Sequence, residues 1–437
     1  MILRSTEPLT SRSRVLAWAL WDCGATGVNA VVITFVFSVY LTEQVGSGLP
    51  GSTTPASWLG KVMTVAGVVI AALAPVTGVW VNDPKRRRTA LVVLTGMVVA
   101  LTAAMSLIRA DYHYLLPGLV LLAGTAACSD LATVPYNAML SQLSTEKNSG
   151  RISGLGSGAG FVGSVVLLLI VYVGFIAGDG DTRGLLGVAA ADGENVRAAM
   201  VLAAAWFAGL ACPLLLAARG ATASVEPRST PGLLGAYVAV FNEVRNEWRR
   251  DRNVVYYLGA SAVFRDGLTG VFAFGAVLGV SVYGVSQADV LVFGVCASVI
   301  AAAGAVLGGL LDDRVGSKPL IIAALVAMIA VGLVLLTQSG PLPFWICGLL
   351  LCLCVGPILA SARALMLRLS AEGKEGVTFG LYTMTGRAAS FLAPWLFFTF
   401  IDMFGSDRAG LGGLCTVLVL GLVLMLGVKA PARTSLT

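Results

Sequence analysis

One pattern constrains this chain more than any other. Apolar runs of roughly 20 residues follow one another from end to end, each long enough to cross about 30 Å of hydrocarbon as a helix. Twelve such spans can be placed, at 16–41, 58–81, 89–109, 114–140, 153–177, 198–218, 254–280, 287–311, 319–338, 342–367, 377–402 and 409–428. The composition agrees: 57% of the residues are hydrophobic and 12% charged, where a soluble domain carries about 25% charge. The expected fold class is an all-α integral membrane protein. Its net charge of +6 then reads as topology. The partner it implies is a lipid bilayer, not a nucleic acid.

Topology follows from Lys and Arg. With the N-terminus inside, 21 of the 29 basic residues fall on inner segments. Five (Lys61, Arg109, Arg183, Arg197 and Arg408) fall outside, and Arg265, Arg363 and Arg387 stay within spans. Both termini are therefore expected in the cytoplasm, with the protein in the cell membrane. The first span follows Arg4, Arg12 and Arg14 and contains Asp22 and Asn29. With no small-residue cleavage site near its end, it reads as a retained helix and not a signal peptide. Segments 42–57 and 178–197 read as loops. The longest connection, 219–253, ends in a stretch mixing Tyr237, Val240, Phe241, Val244 and Trp248 with Arg245, Arg249, Arg250 and Arg252. That reads as an amphipathic helix on the membrane surface.

The chain also repeats itself. GVWVNDPKRRR (78–88) is echoed by GGLLDDRVGSK (308–318), so that Gly78 and Gly308, Asp83 and Asp313, and Arg88 and Lys318 share an offset of 230. A second register, offset 226, pairs Asn137 with Arg363, Leu143 with Leu369, Gly150 with Gly376 and Gly154 with Gly380. The expectation is twelve transmembrane helices in two pseudo-symmetric six-helix halves, 1–218 and 254–437, joined by 219–253. Such repeats are characteristic of transporters.

Polar residues inside the spans are the candidate site, because an ionisable group in hydrocarbon is costly and marks a cavity or relay. Asp22, Thr26 and Asn29 share one face of the first helix. The fourth repeats the pattern with Asp130, Thr133, Asn137 and Ser141. The seventh carries Arg265, Asp266 and Thr269, the tenth Ser361 and Arg363, and the eleventh Thr383, Arg387 and Ser390. Arg265 and Asp266 are adjacent and cannot point the same way on a helix. Converging stripes would build a hydrated midplane site; the plainer reading is that the charges pair and staple the halves together. Other chemistry finds no support. The eight cysteines lie in apolar runs without zinc spacing, and the chain has one histidine, His113. No metal site, cofactor or Ser-His-Asp set is implied, so the chain does not read as an enzyme. Gly158, Gly160 and Gly163 match G-x-G-x-x-G, but no strand precedes them; they read as close helix packing.

Several segments together carry a resemblance: WALWDCGATGVNAVVITFVFSVYL in the first helix, VPYNAMLSQL and GRISGLGSGAGFVG around the fourth and fifth, FRDGLTG in the seventh, and GPILASARALMLRLSAEGKEGVTFGLYTMTGRAASFLAP in the tenth and eleventh. With the two loop motifs, these resemble the major facilitator superfamily, and within it the vacuolar-effluxer branch of the autophagy-linked fungal amino-acid permease. The resemblance implies that the first, fourth, seventh and tenth helices line a central cavity. It also implies that the loop motifs, here Asp83, Arg88, Asp313, Arg314 and Lys318, hold the inner gate closed. In that branch the first motif has its acid four residues after the glycine. This chain has Asn82 there, so either Asp83 takes over or the gate of the first half is weaker. The implied function is a secondary active transporter working by alternating access as a monomer, moving a small polar or zwitterionic, amino-acid-like solute. Protons would drive it through Asp22, Asp130 and Asp266, with Asn29, Asn137, Arg265, Arg363 and Arg387 binding substrate. The rivals are an exporter of drugs or other amphipathic compounds and a membrane sensor that keeps the fold without transport.

Overall fold

The computed structural model describes residues 12–50, 54–145, 147–178, 180–217, 233–250 and 252–429. The first half comprises α1 (Arg12–Val45), α2 (Pro55–Trp80), α3 (Pro84–Leu107), α4 (Tyr112–Leu143), α5 (Ser149–Ile176) and α6 (Glu194–Ala217). A connecting helix, α7 (Leu233–Arg250), leads to α8 (Arg252–Ser281), α9 (Gln287–Val315), α10 (Ser317–Thr337) and α11 (Pro341–Leu369). Then come α12 (Glu375–Ala389), α13 (Leu392–Phe404) and α14 (Asp407–Gly427).

Eleven of these helices are long and apolar enough to cross a membrane. The remaining crossing, the eleventh in chain order and expected at 377–402, is α12 and α13 together, broken at Ser390–Phe391. Pro394 explains the break, because its ring collides with the carbonyl four residues earlier, which is that of Ser390, and it has no N–H to donate. Elsewhere the helices run a few residues past the apolar runs because polar residues cap them. Asp83 accepts a hydrogen bond from the Lys85 N–H at 2.9 Å just before Pro84, which brings the basic run 85–88 into the first turns of α3. Thr54 does the same for α2 through the Ser57 N–H at 3.2 Å. Proline at the first helical position and an oxygen before it suit a helix start. The segment 42–57, read as a loop, is helical up to Val45, and α1 is wound more widely from Asn29 to Phe35.

Buried apolar side chains fall into two clusters. One draws on α1 and α3 to α6, from Ala17 to Leu214. The other draws chiefly on α8 to α14, with Ala74, Val81, Leu131, Val134, Ala138 and Val240 added from outside that half. Valines and leucines such as Val68, Val334 and Val423 stay exposed on the outer surface, as lipid contact requires. Residues 219–232 of the connection lie outside the described residues. Its helix α7 leans on α2, where the Tyr237 hydroxyl donates to the Ala72 carbonyl at 2.7 Å. Residues 182–189 form a small antiparallel hairpin between Thr182–Arg183 and Val188–Ala189.

Candidate functional site

Two acid–arginine pairs cross between the halves in the interior. In the first, Arg363 of α11 lies 3.4 Å from Asp22 of α1, whose other oxygen accepts from Thr26 at 3.3 Å. Arg363 also reaches Ser157 of α5 at 3.5 Å. Its guanidinium stands 5.5 Å from the centre of the Trp18 ring and 5.7 Å from that of Tyr136. Trp18 and Tyr136 are stacked 4.5 Å apart, and Trp21 covers the other face of Tyr136 at 4.3 Å. The pillar is pinned by the Trp18 indole donating to the Tyr136 carbonyl at 3.1 Å and the Trp21 indole to Thr95 at 3.0 Å. A flat guanidinium suits such a wall better than an ammonium.

In the second pair, Arg387 of α12 grips Asp130 of α4 through Nε and Nη2. This pair is more open, with 38% of the Arg387 side chain and 20% of Asp130 accessible. At 1.5 Å of rise per residue, Arg363 lies about 9 Å from the end of α11, and Asp130 about 20 Å from the end of α4. The pairs therefore form two layers, one near the basic end of the bundle and one near its middle.

The remaining candidates separate. Asn29 accepts from Ser129 at 3.1 Å, within its own half. Asn137 is buried, and its side-chain amide oxygen has no hydrogen-bond partner among the described residues. Arg265 lies 3.9 Å over the Tyr382 ring and donates to that residue's carbonyl at 3.1 Å. Asp266 turns the other way, is buried, and accepts from the Ala393 N–H at 2.6 Å. The glycine-rich stretch of α5 is packing, as expected. Cβ atoms at Gly158 and Gly160 would press on Val306 of α9 and Thr26 of α1.

The basic end is closed by two related contacts. A Cβ on Gly154 of α5 would sit 2.9 Å from the Gly309 Cα of α9, and one on Gly78 of α2 would sit 2.6 Å from the Gly376 carbonyl. Such backbone approach is possible only for glycine. Beside the first contact, Asp313 caps α5, taking the N–H groups of Gly150 at 2.8 Å and Arg151 at 2.9 Å. Arg368 at the end of α11 bridges Asp312 at 2.5 Å and Asp313 at 3.2 Å. Beside the second, the Asn82 side chain accepts the Val377 N–H at the start of α12, at 3.2 Å. Buried Arg87 donates to the Val81 and Ala138 carbonyls at 3.0 and 2.9 Å and pairs with Glu375 at 3.5 Å.

These contacts correct the repeat register. Gly78 corresponds in space to Gly309 and Asn82 to Asp313, an offset of 231 where the sequence motifs suggested 230. Asp83, which could have taken over from Asn82, caps its own helix and lies 3.9 Å from Arg86. The residue that spans the halves is Asn82. Arg88 is half-buried, with an Nε that has no hydrogen-bond partner among the described residues. Arg314 is exposed at the end of α9, and Lys318 donates to the Leu426 carbonyl within its own half at 3.1 Å.

Comparison with known proteins fits this architecture. The profile of the family described as "Vacuole effluxer Atg22 like" matches residues 137–434. The chain belongs to the Atg22-like family. It is 21% identical over 421 residues to an uncharacterized MFS-type transporter, YxiO, of Bacillus subtilis strain 168, covering 96% of both chains. Its fold is similar to that of the proton:xylose symporter XylE, with a TM-score of 0.70 and 14% identity over 95% of this chain and 94% of that one. It is also similar to the transporter FucP in an outward conformation, with a TM-score of 0.68 and 15% identity over 96% and 100% of the two chains. At these identities the likeness shows the twelve-helix major facilitator fold. The Atg22-like chain is a membrane transporter and not an enzyme.

Sequence reasoning missed Arg87, Glu375 and Arg368 at the closed basic end of this Atg22-like chain and under-read Asn82. Arg87 read as one more basic residue of an inner loop and Glu375 carried no reading, and the pairing across 288 positions leaves no local trace. Arg368 looked like one more basic residue at a helix end. Asn82 was noticed as a departure, but its amide was not credited with the capping that its carbonyl oxygen performs.

Proposed function

We propose that this chain is a proton-coupled secondary transporter of a small zwitterionic, amino-acid-like solute, working by alternating access with its basic end in the cytoplasm. The observation that carries the reading is the Asp130–Arg387 pair, set near mid-membrane between helices of opposite halves and open enough to be reached. A zwitterion can replace this pair by two of its own, its carboxylate on Arg387 and its ammonium on Asp130. A proton on Asp130 would release Arg387 in the same way, so solute and proton act on one bond. The Asp22–Arg363 pair lies deeper toward the closed end and would be the second contact that a descending solute meets. Closure at the basic end by the Asp313 and Asn82 caps fits an outward-facing state. Arg87, Glu375 and Arg368 join these caps as the gate, and the positive-inside charge bias supports the orientation.

The test is Asp130→Asn in proteoliposomes, with a mixture of labelled L-amino acids. Exchange of solute across the membrane should persist at raised solute concentration, because the amide oxygen still accepts from the solute ammonium, while accumulation driven by a pH gradient should vanish. Accumulation that survives in Asp130→Asn would remove proton coupling from this residue.

A further inference from the structure

The break in the eleventh crossing divides one helix between two loyalties. Below it, α12 is tied to the opposite half, where Gly376 and Gly380 lie against α2 and Arg387 grips Asp130, and it meets its own half where Arg265 of α8 lies over Tyr382. Above it, α13 packs on its own half, where Phe397 stacks on Phe274 of α8 at 4.0 Å and lies against Gly410 of α14. If the basic end is to open, α12 must leave α2 while α13 stays in place. The turn between them is where that motion can be absorbed.

That turn needs support, because a helix start leaves unpaired N–H groups that lipid cannot satisfy. Ser390 closes the lower end locally, its N–H and hydroxyl both donating to the Arg387 carbonyl at 3.3 and 2.8 Å. At the upper end Pro394 has no N–H. Ala393 does, and Asp266 of α8 accepts it at 2.6 Å. Asp266 is 6% exposed, so water does not substitute for it.

We propose that Asp266 is a positioning residue, a latch that holds the broken turn at Ser390–Phe391 so that α12 can swing on α13. The proposal rests on the alternating-access reading and takes Asp266 out of the set of proton carriers. What the turn needs from Asp266 is an acceptor oxygen. Asparagine offers one and alanine does not.

The experiment uses the full chain in lipid nanodiscs and proteoliposomes. Hydrogen–deuterium exchange is followed in the peptide spanning 388–396, alongside exchange of a labelled L-amino-acid mixture across the membrane. Asp266→Asn is expected to stay within about twofold of wild type in both measurements, and in accumulation driven by a pH gradient. Asp266→Ala should raise exchange at the turn, and slow solute exchange, by about tenfold or more. Pro394→Ala, which restores a donor and removes the collision, should slow exchange at the turn and abolish transport with Asp266 intact, thermal unfolding confirming the fold. The proposal is overturned if Asp266→Asn is as damaging as Asp266→Ala, if Asp266→Asn loses only the pH-driven accumulation, or if Pro394→Ala transports normally. If Asp266→Ala does not fold, Asp266→Asn and Pro394→Ala decide. If the wild type moves no amino acid, the solute reading fails, and the exchange rates at the turn decide on the latch alone.

Discussion

Removing the Asp313 carboxylate should open the basic end. Asp313→Ala takes the acceptor from the two N–H groups at 2.8 and 2.9 Å and one partner from Arg368 at 3.2 Å. Hydrogen bonds to a charged group contribute about 1.5–3 kcal/mol each. In the open state the same N–H groups meet water and recover much of this, which leaves about 2–3 kcal/mol that distinguishes closed from open. At 1.4 kcal/mol per factor of ten, that is a shift of about 30- to 150-fold toward opening. The assay is alkylation of a cysteine placed at Ser153, which is fully buried beside the gate and donates to the Ala360 carbonyl. Peptide mass spectrometry separates that label from the native cysteines. Asn82→Ala, which loses one neutral bond, should give about a two- to tenfold rise. Asp83→Ala should leave the gate closed and cost about 1 kcal/mol of helix stability. The reasoning is refuted if Asp313→Ala is folded and labels at the wild-type rate, or if Asp83→Ala labels as fast as Asp313→Ala.

Three further outcomes are expected. Gly154→Val cannot keep the contact with Gly309, so a cysteine at Ser361, buried in wild type, should become reactive. Arg87→Leu strands Glu375 and two carbonyls, and thermal or chemical unfolding should show a loss of about 3–5 kcal/mol. Arg363→Lys keeps the charge but loses the fork and the aromatic wall, so the affinity for zwitterionic ligands, read by thermal shift, should fall about five- to tenfold.

The fold was legible because lipid imposes it. A run of some 20 apolar residues has few alternatives, and all twelve crossings lie where the runs are. Which charged residues lie inside the bundle was also legible, since Asp22, Asp130, Asp266, Arg363 and Arg387 stand out against hydrocarbon. Who faces whom was not. Asp22 and Arg363 are 341 positions apart, and nothing local to either announces the other. The break at Ser390 was signalled by Pro394, yet an apolar run reads straight through a proline. The one-residue error in the repeat register has a similar source. Gly308 and Gly309 are adjacent, and only the approach of Gly154 shows which of them is the counterpart of Gly78.

The sharing of charge between the halves has a consequence for how the protein is made. In both interior pairs the acid belongs to the first half and the arginine to the second, 257 and 341 residues later. At about 5–20 residues per second, Asp130 and Asp22 wait roughly 13–70 s after synthesis before their partners exist. An unpartnered acid at that depth is costly in lipid. The first six helices must therefore be sheltered by the insertion machinery or held loosely until α11 and α12 arrive. A ribosome stalled before residue 363 would leave a membrane-bound fragment with two unpaired acids, a form that quality-control proteases can tell from the finished protein.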